Sequence, residues 1–275
     1  MTLRLGLIGG NIGASQAPRL HRLAGQQSGI DVRYDLLTPG ATGVDFTRIF
    51  AGCVRGGYRG VNITYPYKER VMGLLHTDAA TLRTMGAVNT VVFGADRPRG
   101  FNTDHSGFIA TYRGARGDLA PGPVLLIGAG GVGRAVAFGL LSLGVSDLRL
   151  VDRDPVKAAA LARDLRSLAP DLRTTVSQDG TDAAVGARGL INCTPLGMTG
   201  IGGTPLSRAA MTGAEWAFDA VYTPEDTAFL TDARALGLQA ISGWELFFHQ
   251  GVQAWAHFSG TPLDEDRLRA DLRAG

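Results

Sequence analysis

The sequence predicts an α/β protein, because short apolar runs typical of buried strands alternate with helical segments along most of the chain. A Gly/Pro-rich stretch at 117–123 is typical of a linker and indicates that the chain divides into two parts. A third feature is a glycine-rich loop at 128–133, which stands between an apolar strand and a helix. Together these features predict two α/β parts, the second of them built on parallel strands.

In the first part, an apolar run that ends in Gly9-Gly10 predicts a buried strand entering a tight turn. Pro18 favours a helix after that turn, because proline is suited to a first helical turn. Strands are predicted at 3–8, 32–37, 60–64 and 86–93, and helices at 18–27, at 46–56 and from about Lys68.

The second part follows a predicted helix at 104–116 and the linker. It begins with PVLLIG, a run typical of a strand buried on both faces of a parallel sheet. Strands are predicted at 123–128, 147–151, 174–176, 189–192 and 216–220, helices at 132–143 and 155–168, and two more helices within 244–274.

Composition excludes several classes of function. Charged residues make up 19% of the 275 residues and the net charge is +2, without the clustered basic residues of a nucleic-acid-binding protein. The sequence has neither a secretion signal nor an apolar run of membrane-spanning length, so we expect a cytoplasmic protein. The two cysteines and five histidines lack metal-ligand spacing, so we expect no metal.

The loop at 128–133, GAGGVG, matches the fingerprint of dinucleotide-binding domains. Its glycines allow a tight turn and a close approach of the pyrophosphate to the N-terminus of the next helix. Asp152 ends the following strand, where a carboxylate binds ribose hydroxyls and repels a 2′-phosphate, so NAD is favoured over NADP. Arg153 keeps NADP open, because a guanidinium can pair with that phosphate. Asp152 could also cap the helix that begins at Pro155.

Three polar clusters, at 62–68, 89–90 and 102–104, follow the ends of predicted strands in the first part. Ligands of α/β sheets bind at such carboxyl ends, and these amides and hydroxyls suit a polyhydroxylated substrate. Lys68 and Asp104 form a plausible proton-transfer pair, in which the carboxylate orients the amine. The alternative is ordinary turn chemistry, since Asn, Thr and Asp are common at strand ends.

These clusters also carry a resemblance to a known family. The segments GVNITYPYKE, MGAVNT, GFNTDHSGF, GAGGVGRA, NCTPLGM, DAVYTPEDTAFL and FFHQG resemble, in order, the motifs of the shikimate/quinate dehydrogenases. The resemblance extends over nearly the whole chain. It implies a substrate-binding α/β domain formed by 1–105 and 244–275, to which the C-terminal helices return, and a doubly wound Rossmann-type domain at 106–243.

The resemblance also implies the reaction and the residues that perform it. A hydride would pass reversibly between a ring hydroxyl of shikimate or quinate and the nicotinamide, with Lys68 and Asp104 catalytic. The implied substrate-binding residues are Ser15, Asn62, Thr64, Asn89, Tyr222 and Gln250. The implied cofactor-binding residues are Gly128, Ala129, Gly130, Gly131, Val132, Gly133, Asp152, Arg153, Thr194, Val221, Gly243 and Leu246.

Departures from the family pattern keep alternatives open. Ala17 stands where the family has the second serine of its carboxylate-binding turn, so the substrate could be another cyclic polyol acid or an amino analogue of shikimate. Asp152-Arg153-Asp154 replaces the Asn-Arg-Thr of NADP-dependent relatives, although an NADP-dependent biosynthetic enzyme stays possible. A nucleotide-responsive binding protein is a third reading, which the presence of both Lys68 and Asp104 disfavours. We expect a cyclohexane carboxylic acid as the partner, and a monomer or a homodimer.

Overall fold

The structure is a computed structural model that describes residues 2–40, 43–77 and 79–274. It contains two compact units, of which the first comprises Met1–Thr103 with Phe248–Gly275 and the second Asp104–Phe247. The predicted α/β class and the two-part organisation are confirmed. The unit boundaries differ by two and by four residues from the domain limits at 105 and 244 expected from the sequence.

The first unit is built on a five-stranded sheet of order β2-β1-β3-β4-β5. β1 is parallel to both β2 and β3, whereas β4 is antiparallel to β3 and to β5. The strands are β1 (Leu3–Ile8), β2 (Val32–Leu37), β3 (Gly60–Ile63), β4 (Thr90–Val92) and β5 (Arg99–Phe101). The helices are α1 (Ala17–Ser28), α2 (Phe46–Arg55), α3 (Ala80–Met85), the greater part of α9 (Gly243–Ser259), and α10 (Glu265–Arg273).

Two apolar clusters hold this sheet. On one side β1 packs with the α9 residues Trp255 and Phe258, so the C-terminal helices belong to the first unit. On the other side Phe46 and Phe50 of α2 cover β3 and β4. The ends of α1 follow the sequence signals, since Pro18 lies in its first turn and Gly29 ends it at a φ of 66°.

The second unit is a six-stranded parallel sheet of order β11-β10-β9-β6-β7-β8. Its strands are β6 (Pro123–Ile127), β7 (Asp147–Val151), β8 (Arg173–Ser177), β9 (Gly189–Asn192), β10 (Trp216–Asp219) and β11 (Gln239–Ile241). Its helices are α4 (Thr103–Arg116), α5 (Gly131–Ser142), α6 (Pro155–Leu168), α7 (Gly180–Ala184) and α8 (Ala228–Ala235). The chain runs outward from β6 to β8 and then returns to β9 on the other side of β6. This reversal places a ligand crevice at the carboxyl ends of β6 and β9.

Some sequence predictions were wrong or incomplete. The helix expected from about Lys68 is a 3₁₀ turn, Arg70–Leu74, and the next α-helix begins only at Ala80. The strand expected at 86–93 is limited to Thr90–Val92, because Gly86 ends α3 in the left-handed region, at a φ of 65°. β5, β11, α7 and α8 were not predicted.

The linker predicted at 117–123 does not separate the two units. The boundary lies before α4, because this helix packs on the sheet of the second unit. Phe108 contacts Phe218 edge to face at 5.1 Å, and Tyr112 contacts Trp216 in the same way at 5.2 Å. Aromatic contacts of this kind bind α4 to β10.

Candidate functional site

Of the predicted substrate residues of the first unit, Thr64 follows the carboxyl end of a parallel strand, whereas Asn62 lies within β3 and Asn89 directly precedes the antiparallel strand β4. Thr64 comes directly after β3, and its backbone N–H donates to Ile8 at the end of β1, at 2.9 Å. Gly9 follows β1, and a Cβ at this position would collide with the side chains of Thr64 and Ile12. The absence of a side chain at Gly9 therefore lets the two strand ends lie close together.

Asn62 lies at the centre of a buried polar network. Its Oδ1 accepts from the Tyr34 hydroxyl at 2.9 Å, and its Nδ2 donates to Thr90 Oγ1 at 3.1 Å. The same Nδ2 donates to the backbone carbonyl of Asn89 at 3.4 Å. His21 also approaches Asn62 from α1 and is fully buried, which lowers the pKa of His21 to about 4. Asn62 thus supports the strand segment that carries Asn89.

Asn89 has one side of its amide fixed and the other open. Its Oδ1 accepts from the backbone N–H of Thr103 at 2.7 Å, from Thr103 Oγ1 at 3.1 Å and from Thr90 Oγ1 at 3.2 Å. The Nδ2 group has no hydrogen-bond partner within 2–40, 43–77 and 79–274. This orientation leaves two N–H donors available for an oxygen of a ligand.

Two predicted hydroxyl groups are similarly placed. Ser15 Oγ accepts from the backbone N–H of Ala17 at 3.2 Å, at the start of α1. Its own O–H, like that of Thr64, has no partner in the described part of the chain. Ala17 contributes only a backbone N–H to this turn, and Ser15 already accepts it. The turn therefore offers one side-chain hydroxyl to a ligand.

The predicted catalytic residues are held by different elements. Lys68 is half-buried, and its backbone carbonyl accepts from Val88 at 2.9 Å, which ties the residue to the segment before Asn89. Asp104 is only 6% exposed and lies in the first turn of α4, where the helix dipole favours a negative charge. Thr103 is the last residue of the first unit and Asp104 the first of the second.

Of the remaining predicted substrate residues, Gln250 is half-buried on the part of α9 in the first unit. Tyr222 belongs to the second unit, where its ring stacks on Phe247 at 5.0 Å. His105, the histidine next to Asp104, hydrogen-bonds Ser142 of α5 at 3.2 Å, and burial lowers its pKa.

The glycine loop of the second unit has the geometry that its residue types predicted. Gly128 has a φ of 102°, and a Cβ there would lie 2.7 Å from the backbone carbonyl carbon of Cys193. A Cβ on Gly133 would collide with the carbonyl oxygen of Gly128. Gly130 precedes α5 without a side-chain cap, so the first N–H groups of this helix face the loop. The loop offers backbone donors and a positive dipole end to a phosphate.

Asp152 is fixed beside that loop. Its Oδ2 accepts from the backbone N–H of Ala129 at 2.6 Å, and its Oδ1 from that of Asp154 at 2.8 Å. The alternative that Asp152 caps α6 is wrong, because Asp154 caps this helix through Val156, at 3.0 Å. Each Asp152 oxygen keeps a lone pair for a further donor. Arg153 is exposed.

The predicted residues Thr194, Val221, Gly243 and Leu246 all belong to the second unit. Thr194 and Val221 are joined by residues of the quoted motifs NCTPLGM and DAVYTPEDTAFL to which sequence reasoning assigned no role. Asn192 accepts from Thr194 through Oδ1 and donates from Nδ2 to Asp219 at 2.9 Å. Asp219 is fully buried and also accepts from the backbone N–H of Val221 at 2.9 Å. The signal that could have revealed this network is a carboxylate at the end of the apolar strand WAFD.

Gly243 is the first residue of α9 and lies close to the loop that follows β10. A Cβ at Gly243 would lie 2.5–2.7 Å from the carbonyl oxygens of Asp219, Ala220 and Val221. Leu246 and Val221 are both buried. The carboxyl ends of β9 and β10 and the start of α9 thus form one close-packed region within this unit.

The described residues lack two kinds of feature. They contain no group of three or more His, Cys, Asp or Glu side chains arranged to hold a metal ion. Among the same residues, no helix combines the length and apolar character needed to cross a membrane.

A family model described as the shikimate dehydrogenase substrate binding domain matches residues 7–91. The chain is 38% identical to a quinate/shikimate dehydrogenase (NAD(+)) of Corynebacterium efficiens, over 98% of this chain and 97% of the relative. The chain belongs to the shikimate dehydrogenase family. A shikimate dehydrogenase (NADP(+)) of Arthrobacter sp. is 36% identical over 97% of this chain and 92% of its own length.

A solved structure of this family has the same fold. Quinate dehydrogenase from Corynebacterium glutamicum, in complex with NAD, matches with a TM-score of 0.91 and 33% identity. The match covers 100% of this chain and 99% of that chain. The family resemblance read from the sequence motifs is therefore confirmed, and so is the predicted fold class. Relatives named for NAD and for NADP both occur at similar identity, so the family alone leaves the cofactor open.

Proposed function

We propose that this protein is an NAD-preferring dehydrogenase that oxidises a ring hydroxyl of shikimate, quinate or both, and reduces the corresponding ketones in reverse. The observation that carries the proposal is the presence of two kinds of site in one member of this family. The second unit has a glycine loop with an adjacent fixed carboxylate, and the first has open donors at its strand ends. The first unit accordingly binds the acid and the second the nucleotide.

The ring of the substrate is held by the open polar groups of the first unit. Asn89 donates its Nδ2 protons to hydroxyl oxygens attached to the ring, and the hydroxyls of Thr64 and Ser15 supply further donors. Gln250 is a further predicted contact of the hydroxyl groups, and Tyr222 is predicted to lie near the substrate. Asn62 stays a predicted substrate residue, and its internal bonds give it a second role as the support of Asn89.

Lys68 and Asp104 carry the proton transfer. Lys68 Nζ takes the proton of the hydroxyl that becomes a carbonyl, and Asp104 orients the amine and stabilises its protonated form. The low exposure of Asp104, 6%, strengthens this electrostatic effect, because less water screens the charge. NAD bound at the glycine loop supplies the hydride acceptor.

The preference for NAD follows from Asp152. Two backbone N–H groups hold its carboxylate beside the loop, so the side chain cannot easily turn away from a bound ribose. A carboxylate at this position accepts from the ribose hydroxyls and repels a 2′-phosphate. Arg153 offers the opposite charge but is exposed, so solvent weakens its attraction for a phosphate.

The binding of the substrate's carboxylate is less well defined, because of Ala17. One missing hydrogen bond to a carboxylate costs about 1.5–3 kcal/mol. Ser15 and backbone N–H groups must therefore bind the acid without a second hydroxyl. This feature favours the second candidate function, in which a related cyclic polyol acid or an amino analogue of shikimate is the preferred substrate.

A kinetic panel tests the proposal. Shikimate, quinate and an amino analogue are each assayed with NAD and with NADP, and kcat/KM is measured for every pair. We expect turnover of shikimate or quinate with a higher kcat/KM for NAD. Turnover of the analogue alone would favour the second function, and no turnover of any acid would contradict both.

A further inference from the structure

Asp219 is a buried carboxylate that joins three segments of the second unit. It lies at the carboxyl end of β10 and is fully buried. Its Oδ1 accepts from Asn192 Nδ2 at 2.9 Å and from the backbone N–H of Val221 at 2.9 Å. Its Oδ2 accepts from the Thr227 hydroxyl at 2.6 Å. One side chain thus connects the end of β9, the loop after β10 and the N-terminus of α8.

The partners of Asp219 set the shape of two loops. Asn192 directs its Oδ1 to Thr194, whose backbone N–H and hydroxyl donate to it at 2.9 and 2.7 Å. Thr227 caps α8 by accepting from Leu230, at 3.3 Å. Thr194 and Val221 are among the cofactor-binding residues that the family resemblance implies. Asp219 itself is fully enclosed and presents no surface to a ligand.

The ionised form of Asp219 opposes folding. Burial raises its pKa to about 6, although the hydrogen bonds from Thr227, Val221 and Asn192 act in the opposite direction. The groups that face it from β9, from the loop and from α8 are an amide, an N–H and a hydroxyl, none of which carries a charge. The charged residues at the two ends of α8, Asp226 before it and Arg234 in its last turn, are exposed and pair with each other at 2.6 Å.

Ionisation of Asp219 lowers the stability of the folded protein at neutral pH. The folded-state pKa of Asp219 lies above the unfolded-state value of 3.8, so folding favours the protonated carboxyl. Its contribution to stability therefore falls as the pH rises from about 4 to about 6, and stays low above that range. Stability alone does not explain an ionised carboxylate here. Its hydrogen bonds to Asn192, to the backbone of Val221 and to Thr227 point instead to a role in positioning the loops that it joins.

We propose that Asp219 is a positioning residue for the nicotinamide nucleotide, which acts by fixing the amide of Asn192 and the loops of Thr194 and Val221. An ionised carboxylate can only accept hydrogen bonds, so Asp219 and the carbonyl of Leu196, which accepts at 3.1 Å, both hold Nδ2 of Asn192 and leave its Oδ1 to Thr194. A side chain at position 219 that also donates holds this amide less firmly, because it can present an N–H or O–H where Asp219 only accepts. The inference rests on the proposed function for the identity of the ligand.

Asp219→Asn tests this role, because the amide has the size of the carboxylate and resembles its protonated form. NADH binding is measured by fluorescence titration at about pH 7.5, and thermal unfolding under the same conditions. We expect NADH to bind about tenfold more weakly, because the amide of Asn192 and the loops of Thr194 and Val221 are held less firmly, with a Tm equal to or above that of the wild type. Asp147→Asn is the matched control, since Asp147 is also buried but lies at the amino end of β7.

A pH series and a second pair of variants separate positioning from folding. The wild-type Kd for NADH should rise as the pH falls through about 6, whereas the Kd of Asp219→Asn should stay high and nearly constant. Thr227→Val, which lacks the donor to Asp219, should weaken NADH binding, and Thr227→Ser should restore it.

Two results would overturn the inference. One is that Asp219→Asn binds NADH with the wild-type Kd at every pH. The other is that Asp219→Asn loses affinity for NADH but also has a lower Tm, and that Asp147→Asn loses as much affinity. Failure of the proposed function is recognised separately, because it is measured by acid turnover in the wild type. A wild type that binds NADH but oxidises no acid contradicts the proposed function alone, and one that binds no nucleotide contradicts both.

Discussion

Cofactor choice is expected to depend on the charge of one side chain, and Asp152→Asn is the substitution that tests it. The carboxylate of Asp152 is held by Ala129 and Asp154 at 2.6 and 2.8 Å, so its charge is fixed at the edge of the glycine loop. Two unit charges 4–5 Å apart interact by about 3–4 kcal/mol at an effective dielectric constant of 20. Because Asp152 is half-buried, solvent reduces this value, and we expect about 2–3 kcal/mol of repulsion toward a 2′-phosphate.

The corresponding change in preference is about a hundredfold. The assay is kcat/KM for NAD and for NADP at saturating acid, with the ratio of the two as the result. For Asp152→Asn, the value for NADP should rise and the value for NAD should fall, because the amide is a weaker acceptor for ribose hydroxyls. Asp171→Asn removes one exposed charge elsewhere in the same unit and should leave the ratio unchanged. An unchanged ratio in Asp152→Asn would refute the reasoning.

Three further outcomes are expected. Ala17→Ser should lower the KM for the acid by about tenfold, through one more hydrogen bond to the carboxylate, and an unchanged KM would show that the bond is made elsewhere. Gly133→Ala should raise the Kd for NADH at least about tenfold because its Cβ collides with Gly128, while Gly114→Ala, on open helix surface, should bind NADH normally. His21, with a pKa of about 4 against 6.5 unfolded, should cost about 3 kcal/mol of stability as the pH falls from 6.5 to 4. His21→Phe should flatten the dependence of Tm on pH in that range, and an equally steep dependence in this variant would exclude His21 as the cause.

Local signals were sufficient for most of the fold. The strands Leu3–Ile8 and Val32–Leu37 and the helix between them carry apolar runs, a proline start and a glycine end in adjacent positions. The glycine loop was equally predictable from the sequence, because its requirement for small residues comes from backbone packing against Cys193. Where local residue types determine the structure, the sequence was enough to predict it.

Other features depend on contacts between residues far apart in the chain. The assignment of α4 to the second unit depends on Phe108 and Tyr112 packing against β10, which no Gly/Pro pattern reveals. The network of Asn192, Asp219 and Thr227 joins residues that are separated by whole elements. The inward role of Asn62 was missed for the same reason, since Tyr34 and Thr90 come from neighbouring strands.

The most direct test of the central claim is single-turnover oxidation by Lys68→Ala. The wild type and the variant are mixed with saturating NAD and either shikimate or quinate, and NADH formation is followed by absorbance. We predict that NADH binds to the variant with its wild-type Kd, while the rate of oxidation falls by about 10²–10⁴, the usual contribution of a general base. Wild-type rates in the variant, or no oxidation of either acid by the wild type, would contradict the account.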